Sequence, residues 1–161
     1  MLKKIYNKVT HEWDTSVEEA LKSFIRLPAL SPDFDKKWEE NGVLLKALED
    51  AQAWAEKQGI KGLRCEIIKD DGFTPCLFVE VDATSDKKFE RSVFFYGHLD
   101  KQPPNEGWDP DKSAWEPVIQ NGRLYGRGAV DDGYAFYTSL AAVKALQTLG
   151  IPHPRCVGLF E

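Results

Sequence analysis

The sequence predicts an α/β fold in which a mixed sheet is flanked by helices. Two amphipathic helical patterns open the chain, and strand-like runs follow. An Asp71-Gly72 turn signal joins the first two of those runs as a hairpin, which makes them antiparallel. Further on, "SVFFYGH", a helical pattern and "RCVGLFE" have the order and length of a βαβ crossover, whose two strands run parallel. Together the hairpin and the crossover give a sheet of mixed sense.

The elements follow in order. "DTSVEEALKSFIRLPALS" reads as a helix capped by Thr15 or Ser16, with Glu18 or Glu19 completing a capping box. Leu21, Phe24 and Ile25 share one face, and Pro28 and Pro32 stop it. "FDKKWEENGVLLKALEDAQAWAEKQG" reads as a longer helix. Its stripe is Val43 or Leu44, Leu48, Ala51 and Ala55; Gly42 weakens its start and Gly59 ends it. Three strands are expected at "LRCEIIKD", "CLFVEVDA" and "SVFFYGH", separated by "DGFTP" and "TSDKKFE". The third, a continuous apolar run, reads as buried. Asn121-Gly122, between two short runs in "WEPVIQNGRLYGRG", is the strongest hairpin signal in the chain. A helix capped by Asp131 or Asp132 then carries Phe136, Leu140, Val143 and Leu146 at helical spacing. Tyr137, Ala141 and Ala142 on its other faces make it largely buried, and Gly150 closes it. "RCVGLFE" is the last strand.

Composition narrows the function classes. With 161 residues, 42% hydrophobic and 29% charged, the chain has the make-up of one soluble domain with a real core. No run is long and apolar enough to span a membrane, and "MLKKIYNKVTHEWD" lacks the apolar stretch of a signal peptide, so a cytoplasmic protein is expected. The net charge of −5 argues against nucleic acid as a partner. Three cysteines without C-x-x-C spacing read as free thiols, not a structural zinc site.

Chemistry concentrates at two places. The apolar run Val93–Tyr96 ends on Gly97, His98 and Asp100. Ligands of α/β sheets bind beyond the carboxyl ends of the strands. Residues i and i+2 of an extended segment point the same way, so Asp100 can hold one ring nitrogen of His98 and leave the other for a metal. A histidine at a strand end also serves as an ordinary hydrogen-bonded structural residue. Asp131 and Asp132 follow "YGRGAV". Helix capping explains one of the two aspartates, but neither the pair nor the glycines before it. "GRLYGRG" lacks the Lys-Ser/Thr ending of a phosphate loop, and no Gly-x-Ser-x-Gly elbow is present. His11 and His153 read as surface residues.

"YGHLDKQPP", followed by "WEPVIQNGRLYGRGAVDDG" and the "LFE" ending, resembles the zinc-dependent aminoacylase/carnosinase/succinyl-diaminopimelate desuccinylase family of metallopeptidases. The resemblance runs from the first helix to Glu161 and is strongest from Val93 to Ala145. It implies an α/β/α sandwich of the zinc-exopeptidase kind, of which residues 1–161 are the N-terminal part. It implies two Zn²⁺ ions per site, with other divalent metals also able to serve. His98 takes the place of a zinc ligand, Asp131 that of the carboxylate bridging both ions, and Asp100 that of the aspartate supporting the histidine. Glu161 matches the first residue of an E-x-x-E-E segment whose adjacent glutamates supply the general base and a further ligand. The remaining aspartate and histidine ligands, and a smaller domain used for dimerisation and closure, would fall later. The Asp131–Asp132 peptide is expected to be cis, as in the family. The implied substrates are dipeptides or N-acyl amino acids with a free carboxylate. An N-acyl amino acid deacylase, or a non-catalytic binding module on the same scaffold, is the alternative. "DDGYAFY" departs from the family, which has Lys at or next to the residue after "DD", while "GHLDKQPP" with Trp108 and Trp115 stands closest to the dipeptidases. Residues 1–161 alone are expected to be inert and to bind zinc poorly.

Overall fold

The computed structural model of the protein describes residues 1–84 and 89–161. The expected connector "TSDKKFE" lies partly outside the described residues. Helix α1 (Leu2–Glu12) runs without a break through a π-helical turn, Trp13–Val17, into α2 (Glu18–Arg26). The helix therefore starts well before the expected caps. Thr15 Oγ1 instead donates to the His11 carbonyl (2.7 Å), and Ser16 Oγ accepts from Trp54 Nε1 (3.0 Å). A tertiary partner explains the longer helix. Glu12 is buried between Lys8 (2.7 Å) and Lys144 (2.6 Å), the latter on a helix more than a hundred residues away in sequence. Leu27 turns extended (φ −82°, ψ 118°) ahead of Pro28, which ends α2.

The second helix comes as two pieces, α3 (Trp38–Asn41) and α4 (Val43–Glu56). Gly42 between them is left-handed (φ +67°), and Asn41 Oδ1 accepts from the Val43 N–H. Leu44, Ala47, Leu48, Ala51 and Ala55 form the buried stripe of α4.

Strands β1 (Leu63–Ile68), β2 (Cys76–Val81), β3 (Val93–Gly97) and β6 (Cys156–Phe160) make one mixed sheet in the order β1-β2-β6-β3. β1–β2 and β2–β6 are antiparallel, and β3–β6 is parallel. The hairpin at Asp71-Gly72 and the crossover are thus both present. β4 (Val118–Gln120) and β5 (Arg123–Tyr125) form a separate ribbon. Its two-residue turn has Asn121 at φ +53° and Gly122 at φ +73°, the left-handed pair that the sequence signal requires. Helix α5 (Tyr134–Thr148) ends at left-handed Gly150.

The core lies on one face of the sheet. Leu77, Val79, Val81, Cys156 and Phe160 meet the buried faces of α2, α4 and α5. Phe136 sits at the centre, its ring edge-on to Trp54 (5.9 Å), Tyr137 (5.2 Å) and Phe160 (5.0 Å). Three sequence expectations need correction here. β3 is an edge strand among the described residues, with Phe94 63% and Tyr96 58% exposed, because β6 is its strand partner on one side and the helices cover only the opposite face. Ala142 of α5 is exposed, while Tyr137 and Ala141 are buried. His153 is fully buried, its ring between the Pro154 carbonyl (2.9 Å) and Gln147 (3.1 Å). His11 is exposed, and the three cysteines are free. Among the described residues no helix is long and apolar enough to cross a membrane.

The Glu12 cluster predicts an acid-sensitive link. Burial raises the Glu12 pKa, but hydrogen bonds and charge from Lys144 and Lys8 outweigh it and hold it below the ordinary carboxylate value. Its contribution is therefore complete above the unfolded-state pKa and is lost as pH falls through the depressed folded value. Glu12→Gln should cost about 1–2 kcal/mol at pH 7, because both lysines still reach water. Urea unfolding at pH 7 and pH 3 checks this: the gap between variant and parent should close at the lower pH.

Candidate active site

β3 delivers the first group. Its last residue, Gly97, has no room for a side chain: a Cβ there would stand 2.7 Å from Asp132 Oδ2 and 3.0 Å from Ala135. The chain then turns outward through His98, buried Leu99 and Asp100. Leu99 N–H donates to the Glu161 carbonyl (2.5 Å), so the exits of parallel β3 and β6 are tied together. His98 Nδ1 lies 2.7 Å from Asp100 Oδ1. The i, i+2 pairing read from the sequence is therefore made.

The second group arrives on Ala129–Gly133, an irregular segment between left-handed Gly128 and α5. Asp131 (φ −116°, ψ 90°) and Asp132 (φ −130°, ψ 16°) are not helical, and the peptide bond between them is cis. Neither caps α5, whose N-cap residue is Gly133 with no side-chain bond. This corrects the capping expectation, and the backbone here supplies the reason. Asp132 Oδ2 instead accepts from the His98 backbone N–H (3.3 Å), and Asp131 Oδ1 stands 3.2 Å from His98 Nε2. The structure thus brings His98, Asp100 and Asp131 together. Asp131 comes on the lead-in to α5, not on the end of a sheet strand.

Electrostatics and space fit a cation site. Burial lowers the His98 pKa, but the hydrogen bond and charge of Asp100, with Asp131 adding, raise it overall. With Nδ1 facing Asp100, Nε2 is the nitrogen turned to Asp131. Two ligands each about 2.0–2.1 Å from a tetrahedral ion stand roughly 3.3 Å apart, so the His98–Asp131 separation suits a shared ion. One imidazole and one carboxylate are the donors a Zn²⁺-like ion takes. Among the described residues, no three His, Cys, Asp or Glu side chains converge as a complete ligand set.

An open cleft of about 470 Å³ adjoins the pair, lined by His98, Asp100, Ser31, Asp33, Thr74, Gln102 and Glu161. That is room for a small substrate. The Glu161 carboxylate is hydrogen-bonded by the Tyr96 hydroxyl, which raises the Tyr96 pKa. Sequence reasoning passed over Asp132 as an anchor of the His98 backbone; the doubled aspartate was its only trace. It also missed Lys101, next to Asp100, which is buried.

The same region carries the likeness to known proteins. Residues 94–160 match Peptidase family M20/M25/M40. The Cys-Gly metallodipeptidase dug1 of Schizosaccharomyces pombe is 36% identical over 67 residues, 40% of this chain and 14% of that protein. Succinyl-diaminopimelate desuccinylase of Acidiphilium cryptum is 49% identical over 51 residues, 32% of this chain and 13% of that protein. The solved structure of the di-peptidase Dug1p from Saccharomyces cerevisiae superposes with a TM-score of 0.75 at 20% identity, covering 100% of this chain and 34% of that one. At that identity the likeness is one of fold. The chain spans about a seventh of the two curated relatives and a third of the solved one. A mixed sheet flanked by helices is common to this chain and its structural neighbours.

Proposed function

From the match of residues 94–160 to the M20/M25/M40 peptidases, we propose that the chain is the N-terminal part of the catalytic domain of a dinuclear zinc hydrolase. Its substrates are dipeptides or similar small amides bearing a free carboxylate. The observation that supports this best is the set His98–Asp100–Asp131. One imidazole nitrogen is engaged by Asp100 at 2.7 Å, and the other faces Asp131 at 3.2 Å.

Bound Zn²⁺ would supply Lewis-acid polarisation of the scissile carbonyl and a nucleophilic hydroxide near neutral pH. The rest falls to the chain. His98 offers Nε2, because Asp100 keeps the proton on Nδ1 and fixes the ring plane. Asp131 has two carboxylate oxygens and can serve two cations at once. Asp132 holds the His98 backbone N–H and so fixes the main chain from which the imidazole projects. The neighbouring cleft receives the substrate. A glutamate that moves the proton to the leaving amine, and the remaining ligands, are proposed to lie beyond residue 161. On that reading residues 1–161 alone bind zinc weakly and do not turn over.

The desuccinylase among the relatives keeps N-acyl amino acids in view as substrates. The test is hydrolysis by the full-length protein of a panel of α-dipeptides, β-alanyl dipeptides and N-acyl amino acids. It is run after chelation and again after adding Zn²⁺ or Co²⁺. Activity lost to the chelator and restored by metal is expected, with dipeptides preferred. Undiminished hydrolysis in chelator, or none of any panel member with metal, overturns the reading.

A further inference from the structure

Lys101 has no part in the chemistry above, yet it is 1% exposed. Its ammonium donates to three backbone carbonyls at the end of α2: Phe24 (2.5 Å), Ile25 (3.3 Å) and Leu27 (2.6 Å). It also lies 3.9 Å above the Phe24 ring. No carboxylate pairs with it among the described residues. Burial pushes its pKa down to about 7, so packing alone would be better served by an apolar side chain. The ammonium is a second donor to the Phe24 and Leu27 carbonyls, which also accept from Leu27 N–H (3.0 Å) and Ala29 N–H (2.9 Å), and it bonds the Ile25 carbonyl as well, so it gathers the C-terminal end of α2 around one cation.

Its position joins the two loops of the site. The backbone of Lys101 continues from His98 and Asp100, and its carbonyl accepts from Ser31 N–H (2.9 Å). The side chain runs beneath Gly128, where a Cβ would stand 2.7 Å from Lys101 Cε and 3.0 Å from Phe24. At Gly133 a Cβ would meet the same Phe24 ring at 2.3 Å. Gly128 and Gly133 bracket Asp131, and Gly133 N–H donates to the Gly128 carbonyl (2.9 Å). Both ends of the Asp131 segment therefore rest on the Lys101–Phe24 pair.

We propose that Lys101 is a positioning residue that locks the His98–Asp100 loop and the Gly128–Gly133 loop into one register against the end of α2. The two loops then open together or not at all. The consequence for catalysis rests on the proposed metal reading; the coupling itself does not.

Native-state hydrogen exchange of the unmodified protein tests the coupling directly. The amides of Ser31, Leu99 and Gly133 should share one opening step. In Lys101→Met those three should exchange about tenfold faster or more, beyond any change in the slowest α4 and α5 amides. Val143→Ala, a core truncation on α5, should shift them only as far as it shifts those global amides. Independent opening of the three in the unmodified protein overturns the proposal, and so does a Lys101→Met profile matching that of Val143→Ala. The measurement on the unmodified protein decides even where Lys101→Met fails to fold. In the metal-loaded full-length enzyme, Lys101→Met should lower kcat at least tenfold with KM within about twofold. If the unmodified enzyme shows no metal-dependent hydrolysis, the functional reading fails while exchange still decides the role of Lys101.

Discussion

Phe136→Ala should lower the unfolding free energy by about 3–5 kcal/mol, the range for deleting a fully buried aromatic ring. Phe136 is 0% exposed, and its ring touches groups from α4, from its own helix and from the central strand β6. Removing it leaves Trp54, Tyr137 and Phe160 around a void that three separate elements cannot close at once. Against a total stability of about 5–15 kcal/mol, such a loss brings the fold near its limit. Thermal unfolding should show the midpoint falling by roughly 10 °C or more. Phe94→Ala is the matched control. It removes the same atoms from the exposed face of β3 and should stay within about 0.5 kcal/mol. Equal losses for the two variants would mean that the core does not lie where Phe136 places it.

On the proposed metal reading, His98→Ala and Asp131→Ala should each reduce kcat/KM of the proposed full-length hydrolase about a thousandfold or more. The Lewis-acid contribution they would sustain amounts to several kcal/mol at the transition state. Asp100→Asn should cost less, about 10–100-fold, because on that reading it alters the partner of a proposed ligand and not the ligand. An amide at that position still accepts a hydrogen bond from Nδ1 but brings no charge. The order of the three losses, read alongside zinc affinity from a competing chelator, carries the test. Asp100→Asn as damaging as His98→Ala would place Asp100 among the ligands. Asp131→Ala without effect would remove Asp131 from the site.

Local chemistry was legible wherever a residue acts through its own neighbours. Asn121-Gly122 adopts the left-handed pair its turn needs, Gly150 stops α5, and His98 meets Asp100 two residues on. What was hidden depends on partners far away in sequence. The helix start at Leu2 rests on Glu12 meeting Lys144, and buried His153 donates its backbone N–H to Thr84 Oγ1 (3.0 Å) and accepts the Thr84 N–H (3.1 Å) from another part of the chain. β3 has the composition of a central strand, yet among the described residues it pairs with β6 alone, on one side. Asp131 and Asp132 read as a helix cap because aspartate before a helix usually is one. Their actual use is set by the irregular backbone of Ala129–Gly133, which no composition reveals.

The interior place of β6 fixes an order of assembly. β1 and β2 are joined by a short connection and can zip up as soon as both exist. β3 has no such local partner: Val93 pairs with Cys156, roughly sixty residues on, so this contact must wait for a long loop to close. His98 sits at the end of β3, and the tie from Leu99 to the Glu161 carbonyl is of equally long range. On the ribosome, the hairpin and the first helices can form while β3 is still unanchored. The ties that hold the His98 corner, β3 to β6 and Leu99 to Glu161, therefore cannot form until β6 has been synthesised.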